Sequence, residues 1–165
     1  MEVHLTAITE ADLPFVKRIY DYYTLHTTVV YFLEPVPLGE IRRMVPVGDR
    51  HYRSFLIGGA AGERYGFCYF SRFKEKPAFR ISVEVTIYLA PDCCGKGIGR
   101  QALSLLEPYI REGGFSNAVA LISAENEASI RLFEKCGYVC CAAIREVAEK
   151  FGKKLTLKIY QKLFS

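Results

Sequence analysis

The chain has 165 residues; half of them are hydrophobic and 24% are charged. This length predicts one domain, residues 1–165, that buries roughly two-thirds of the surface of its unfolded form. No uncharged run of about 18 apolar residues occurs, which argues against a membrane protein. The start, "MEVHLTAITEADL", lacks the features of a signal or transit peptide, so we expect a cytoplasmic location.

The net charge is +4, from 22 Lys and Arg against 18 Asp and Glu. The basic residues are scattered, with clusters only at "KKLTLK" and "RFKEKPAFR". This charge is too weak for a nucleic-acid surface, but it is sufficient to attract an anionic small molecule.

Six cysteines raise the question of a metal site or disulfides. Their spacing contains no C-x-x-C, and none of the three histidines, His4, His26 and His51, lies near them in sequence. We therefore expect no metal, and reduced, mostly buried thiols.

The first elements are a strand and an amphipathic helix. The strand "VHLTAI" precedes "TEADLPFVKRIYDYY", in which Thr9 and Asp12 have the spacing of a capping box. Apolar residues then recur at helical spacing and predict one buried stripe: Leu13, Val16, Ile19, Tyr20 and Tyr23. We expect its tyrosines to be core residues rather than cofactor contacts.

A loop rich in aromatic residues and proline, "HTTVVYFLEPVPLGE", leads to a short helix around residues 41–45. Two strands follow, "SFLIGGA" and "RYGFCYFS", separated by a turn. After the polar "RFKEKPAFR", the run "ISVEVTIYLA" is almost entirely β-branched or aromatic. This pattern is typical of a central strand that is buried on both faces.

The second half alternates helices and strands. The helix "GRQALSLLEPYIREGG" contains Pro108, which we expect to kink its last turn, and the strand "NAVALIS" follows. The helix in "ENEASIRLFEKCGY" has Asn126 near its N-cap and Gly137 after its end. The strands "VCCAAIREVA" and "KLTLKIYQKL" form a closing hairpin, which completes an α/β fold with a mixed sheet.

Glycines alternate in "CGKGIG", directly before an apolar helix. Such a turn presents several backbone N–H groups and the positive end of the helix dipole to one point, which favours a phosphate. A side chain at Gly95, Gly97 or Gly99 would stand between these amides and the phosphate, whereas Lys96 and Arg100 can add charge. An incidental flexible connection would not explain this alternation.

Two other phosphate motifs fit less well. A nucleoside-triphosphate loop, G-x-x-x-x-G-K-[ST], fails because Ala90 stands at the first glycine and Gly97 at the hydroxyl position. A dinucleotide fingerprint is formally present from Gly97 to Ala102, with Glu125 after the next strand. Against it, the glycines begin well past the strand end at Leu89, and too few βα units follow.

These motifs resemble the GNAT N-acetyltransferase superfamily, whose coenzyme A loop reads Q/R-x-x-G-x-G/A between a central strand and a helix. "CGKGIG" matches both glycines but has Cys94 at the first position, and "ISAENEASIRLFEKCGY" is similar to the second family motif. Three further segments resemble the phosphinothricin acetyltransferase-like branch: "DYYTLHTTVVYFLEP", "FKEKPAFRISVEVTIYLAP" and "REVAEKFGKKLTLKIYQKLF".

The resemblance implies a GNAT-type mixed sheet of about seven strands flanked by about four helices. It also implies acetyl-CoA as cosubstrate, no metal, a homodimer, and an amine acceptor such as phosphinothricin, methionine sulfone or methionine sulfoximine. Two alternatives stay open at this point: an acyl-CoA-binding sensor with little catalysis, and a peptide or protein N-acetyltransferase.

The same resemblance places the cofactor. Backbone groups of Ile87, Tyr88 and Leu89 would pair with the acetyl and pantetheine portion, the Leu89 N–H would stabilise the oxyanion, and Asn126 would touch the pantetheine arm. The loop would hold the pyrophosphate through Gly95, Lys96, Gly97, Ile98, Gly99 and Arg100.

Glu84 matches an acidic residue of the branch and is the candidate base, because a carboxylate in an apolar strand should have a raised pKa. The alternative is an ion pair with Arg80 or another cation.

Phe133 stands where relatives have tyrosine or histidine, so Tyr138 or Tyr88 would act as acid, or none is needed. We expect both tyrosines to be core residues.

The acceptor site is predicted from position in the chain. Lys74 matches a basic residue of the branch and would bind an amino-acid carboxylate between Phe73 and Phe79, although a solvated charge run is an equal alternative. Tyr31 and Phe32 would form the opposite wall.

Overall fold

A computed structural model of the chain describes residues 2–165. Its strands form a single seven-stranded sheet in the order β1-β2-β3-β4-β5-β7-β6, in which only β4 and β5 are parallel neighbours. The helices and strands are β1 (His4–Ala7), α1 (Leu13–His26), α2 (Leu38–Met44), β2 (Arg53–Gly58), β3 (Arg64–Arg72), β4 (Ser82–Leu89), α3 (Ile98–Glu112), β5 (Asn117–Ser123), α4 (Glu127–Lys135), β6 (Val139–Lys150) and β7 (Lys153–Leu163). The predicted fold, a mixed sheet of seven strands with four helices, is confirmed.

The two faces of the sheet carry separate cores, because strand side chains alternate between faces. On β4, Val83 and Val85 point to the core under α3 and α4. Tyr88 points to the core under α1 and α2, together with Phe67 of β3. β4 lies in the middle of the sheet, as its apolar sequence predicts.

The predicted helix ends are present. The Thr9 amide donates to Asp12 Oδ2 at 2.9 Å, which completes the capping box before α1. Asn126 Oδ1 accepts from the Ser129 amide at 3.2 Å at the start of α4, and Gly137 follows its end with a φ of 91°. α3 continues past Pro108 to Glu112.

The prediction of mostly buried cysteines is wrong. Of the six free thiols, only Cys68 is buried; Cys94, Cys140 and Cys141 are exposed. The reason is their position, since Cys94 lies in the glycine loop and the other two lie on β6, the outermost strand.

Within residues 2–165 no His, Cys, Asp and Glu cluster has the arrangement of a metal site, and no helix has the length and apolarity to cross a bilayer.

Gly66 lets β3 approach β4 very closely. It lies opposite Leu89, and a Cβ at this position would stand 2.2 Å from the Tyr88 carbonyl oxygen and 2.8 Å from Leu89 Cα. Both atoms belong to the backbone, so no side-chain rotation relieves the overlap. The end of β4 therefore depends on a glycine in its neighbour.

We expect Gly66→Ala to lower the free energy of unfolding by about 1–3 kcal/mol, as overpacking does elsewhere. Gly39 in α2 is the matched control, since a Cβ there would meet nothing within 4 Å. Gly39→Ala should raise the free energy of unfolding by about 0.5–1 kcal/mol, because alanine is the better helix former. Urea denaturation measures both, and an equal effect of the two variants would contradict this account.

Candidate active site

β4 and β5 separate shortly after they meet. They pair at only three positions, Ser82 with Asn117, Val83 with Ala118 and Glu84 with Val119. The rest of β4 still pairs with β3 as far as Leu89. The last part of β4 is therefore bonded on one side only.

The direction of the backbone groups follows from the antiparallel ladder. The Ala90 amide donates to the Tyr65 carbonyl at 2.8 Å, so Ala90 faces β3. Because N–H groups alternate along a strand, the Tyr88 amide also faces β3, and those of Ile87 and Leu89 face the gap. Of the three predicted backbone contacts, Ile87 and Leu89 present main-chain groups to an incoming ligand. Tyr88, whose amide faces β3, can contact a ligand in the gap through its side chain instead.

Two adjoining cavities border the unpaired end of β4. One, the acceptor cavity, has a volume of about 360 Å³, and the other, the cofactor groove, has a volume of about 540 Å³. They share a set of lining residues: Val29, Ile87, Tyr88, Asn126 and Ser129. Two ligands, one in each cavity, would thus meet beside the unpaired backbone of β4.

The cofactor groove runs from the end of β4 to the start of α3. Most of the predicted cofactor residues line it: Ile87, Tyr88, Leu89, Gly95, Gly97, Ile98, Gly99, Arg100 and Asn126. Lys96 is exposed and lies outside the lining, so its side-chain contact stays a prediction. The first amides of α3 have no partner within the helix and can bind an anion.

The three glycines have two different structural roles. Gly95 and Gly97 have φ values of 75° and 79°, in the left-handed region that favours glycine, and a Cβ on either would meet no protein atom within 4 Å. Gly99 is buried, and a Cβ there would stand 2.9 Å from Leu132 Cδ2. The first two shape the loop, whereas the third lets α3 pack against α4.

The acceptor cavity has largely aromatic and aliphatic walls and one carboxylate, Glu84. Burial raises the pKa of Glu84, and the Lys74 cation partly opposes this increase. Within residues 2–165 no ion pair joins Glu84 to Arg80, whose Nη1 donates to the Pro77 carbonyl at 3.3 Å. Tyr31 and Phe32 also line the cavity, and Tyr31 donates to the Thr156 carbonyl at 3.3 Å; their contact with an acceptor stays a prediction.

The predicted carboxylate-binding loop lies outside both cavities. Phe73 and Phe79 pack edge to face with ring centroids 6.0 Å apart, and Lys74 Nζ lies 5.4 Å from the Phe73 centroid. None of the three lines the acceptor cavity. Their role in binding stays a prediction; what the structure adds is the electrostatic effect of Lys74 on Glu84.

Phe133 lines the acceptor cavity and separates it from Tyr138. The two rings pack edge to face at 4.9 Å, and Tyr138 is 7% exposed in the core beyond. Tyr88 packs against the core under α1 and α2, as expected, but it is only partly buried and also borders both cavities. Tyr88 is therefore the one of the two candidate acids that reaches the gap.

A family model described as an acetyltransferase (GNAT) domain matches residues 2–139. The chain belongs to the GNAT acetyltransferase family. It is 32% identical over 152 residues to the L-methionine sulfoximine/L-methionine sulfone acetyltransferase of Pseudomonas aeruginosa, covering 92% of this chain and 88% of the relative. It is 30% identical to the phosphinothricin N-acetyltransferase of Streptomyces coelicolor, covering 98% and 96%.

A solved structure supports the same assignment. The GNAT phosphinothricin acetyltransferase from Sinorhizobium meliloti, crystallised in complex with acetyl-CoA, superposes with a TM-score of 0.92 at 28% identity, covering 100% of this chain and 90% of that chain. The resemblance proposed from the glycine loop and the second motif is thus confirmed. As a GNAT enzyme, the chain is an acetyltransferase that uses acetyl-CoA and no metal.

Sequence reasoning missed part of this GNAT site. Tyr23 was expected in the core, but its hydroxyl donates to the Leu89 carbonyl at 2.6 Å and lies 3.6 Å from Cys94 Sγ, inside the cofactor groove. Tyr20, its neighbour on the helix, is a core residue as predicted and bonds to the Tyr69 hydroxyl at 2.7 Å. The helical spacing of Tyr23 gave no signal for this contact, which spans 66 positions of the chain.

A rim of three cations borders the cofactor groove: Arg100, Arg131 and Lys135. Arg100 was predicted, but the other two come from α4, where a spacing of four residues places them on one helix face. Arg131 Nη1 also lies 3.8 Å from Glu127 Oε2. Both side chains are exposed, so this ion pair is weak. The rim can attract the phosphates of acetyl-CoA from the α4 side.

We expect the double variant Arg131→Gln, Lys135→Gln to weaken acetyl-CoA binding about 3- to 30-fold, because two cations beside an anion are lost. The effect should shrink as salt rises from 50 mM to 500 mM, since exposed charges are screened. Isothermal titration calorimetry measures this, with Lys154→Gln on the exposed part of β7 as control. A loss of affinity independent of salt would contradict an electrostatic role.

Proposed function

We propose that the chain transfers the acetyl group of acetyl-CoA to the amine of a small amino acid or amino-acid analogue, of the phosphinothricin or methionine sulfone type. The supporting observation is the meeting of the two cavities beside the unpaired Ile87 and Leu89 backbone. One cavity has a loop suited to phosphates, and the other has a volume suited to an amino acid. The acceptors named for two relatives, methionine sulfoximine or sulfone and phosphinothricin, belong to this class.

Each chemical requirement of amine acetylation has a candidate in the gap. The Leu89 N–H can donate to the oxyanion that forms when the amine attacks the thioester carbonyl. Glu84 can accept the proton of the acceptor ammonium, directly or through one water, because its pKa is raised toward a useful range. Transfer then occurs directly between the two bound substrates.

Departure of the thiolate needs little assistance. A thiol with a pKa of about 8.5 is a fair leaving group, so a general acid is not required. If an acid does act, Tyr88 is placed for it, since it borders both cavities. Phe133 has no proton to give, and it serves here as an apolar wall.

A coenzyme-release assay over amino acids, their sulfones and sulfoximines, and short peptides tests this proposal. We expect release to accelerate with a small amino acid or analogue, and Glu84→Gln to lower kcat about 10²- to 10⁴-fold, as loss of a general base does. Acetyl-CoA affinity should stay unchanged in this variant. Faster release with peptides would favour a protein N-acetyltransferase, and no acceleration by any amine would favour a sensor module.

The pH profile tests the base separately. Burial raises the pKa of Glu84 and Lys74 lowers it, so the carboxylate is available as base only above this pKa and kcat/KM falls on the acid side. Lys74→Gln removes the opposing cation, and the acid limb should therefore move to higher pH with the same acceptor. A limb that stays in place or moves to lower pH would exclude Glu84 as the titrating group.

We also propose that the enzyme is a homodimer. β6 forms the edge of the sheet, and several of its apolar side chains are exposed, among them Val139 at 66%, Ile144 at 43% and Val147 at 49%. An apolar edge strand favours pairing with another chain. Light scattering should give a mass of twice 18.7 kDa, and a single-chain mass at micromolar concentration would refute the dimer.

A cytoplasmic location is proposed on the basis of the cysteines. All six are free, and three of them are exposed, which suits a reducing compartment.

A further inference from the structure

A buried lysine lies at the tip of the β6–β7 hairpin. Lys150 is 2% exposed, although most of β6 is open to solvent. Its ammonium donates to the carbonyl of Val30 at 2.7 Å, a contact that spans 120 positions of the chain. Val30 is itself 4% exposed. Burial of an ammonium without a partner is costly, so the bond to the Val30 carbonyl stabilises Lys150 in this position.

The turn of the hairpin fixes the position of Lys150. Phe151 and Gly152 have φ values of 54° and 70°, as a two-residue turn of type I′ requires, and Lys150 pairs with Lys153 across it. The Phe151 ring adds a second contact, since its centroid lies 5.1 Å from Lys150 Nζ. The ammonium is thus held by a rigid turn on one side and by the Val30 carbonyl on the other.

Further contacts tie the same loop to the same hairpin. Tyr31 donates to the Thr156 carbonyl of β7 at 3.3 Å. Thr28 donates to the Glu125 carboxylate, which also forms an ion pair with Lys153. We call residues 27–32 the acceptor loop. Its residues 28, 30 and 31 are all bound to the hairpin, directly or through Glu125.

The acceptor loop forms one wall of the acceptor cavity through Val29, Val30, Tyr31 and Phe32. Val29 also lines the cofactor groove, so the loop reaches the point at which the two cavities meet. Without the ammonium, the buried Val30 carbonyl would lose its side-chain donor, and the loop would lose a charge-assisted bond. The position of this wall therefore depends on Lys150.

We propose that Lys150 is a positioning residue for the acceptor site, holding the acceptor loop against the β6–β7 hairpin so that Tyr31 and Phe32 line the same cavity as Glu84. This inference rests on the proposed function for its kinetic consequence and on the contacts alone for its structural one. The side chain touches no reacting atom and acts through the Val30 carbonyl.

Hydrogen exchange of the acceptor-loop amides tests the structural consequence without any substrate. Lys150→Met keeps the aliphatic chain and removes the donor, so exchange at residues 28–32 should become about 10- to 100-fold faster, the range expected for loss of a charged hydrogen bond. Lys150→Arg, which retains a charged donor, should restore most of the protection. Lys154→Met, at an exposed position of the same hairpin, should leave it unchanged.

Steady-state kinetics tests the functional consequence. In Lys150→Met, KM for the amino-acid acceptor should rise about tenfold or more, while acetyl-CoA affinity changes less than about threefold, because the bond lost supports the acceptor wall. If this variant does not fold, Lys150→Gln removes the charge but keeps a polar side chain at the same position. It should accelerate exchange at residues 28–32 and raise the same KM to a smaller extent.

The outcomes separate the two proposals. Unchanged exchange in Lys150→Met, or in Lys150→Gln when Lys150→Met is unfolded, overturns the role of Lys150 even if amino acids are acetylated. Faster exchange in a protein that acetylates no amino acid supports the positioning role of Lys150 and overturns only the proposed acceptor. Equal increases of KM for acceptor and acetyl-CoA also overturn the inference, because they indicate general loosening of the site.

Discussion

The site depends on the separation of β4 from β5 after three paired residues. A central strand normally has backbone partners on both sides, and unpaired buried backbone groups are costly. Here Ile87 and Leu89 keep their groups free toward the gap, and the Leu89 carbonyl is partly satisfied by the Tyr23 hydroxyl. A substrate bound here would supply the missing partners at the point where the protein alone leaves the sheet incomplete.

This opening is possible because β4 is held firmly on its other side. Gly66 removes the side chain that would push β3 away from Tyr88 and Leu89, so the strands stay paired as far as the point opposite Leu89. The same logic recurs at Gly99, where the absence of a Cβ brings α3 against Leu132 of α4. These two close contacts hold β3 against β4 and α3 against α4, while β4 and β5 stay unpaired beyond Glu84.

Local patterns in the sequence predicted the strands, helices, caps and glycine loop, because these depend on residues a few positions apart. Glu84 was found as a carboxylate in an apolar run, which is also a local signal. Tyr23 and the hairpin contact of Lys150 could not be found this way, since they span 66 and 120 positions. Phe73 and Phe79 were predicted from their order in the chain; they pack on each other and line neither cavity, so their contact with the acceptor stays a prediction.

The two cavities differ in the polarity of their linings. The cofactor groove has cations and free amides that favour phosphates, whereas the acceptor cavity has aromatic and aliphatic walls that raise the pKa of Glu84. Lys74 is not part of the lining of this cavity, yet its cation partly opposes the rise in the pKa of Glu84. Because burial raises the pKa of Glu84, residues that keep this carboxylate buried also contribute to its protonation state. Under the proposed function, the acceptor loop and the hairpin that holds it would therefore support the base by keeping one wall of the acceptor cavity in place.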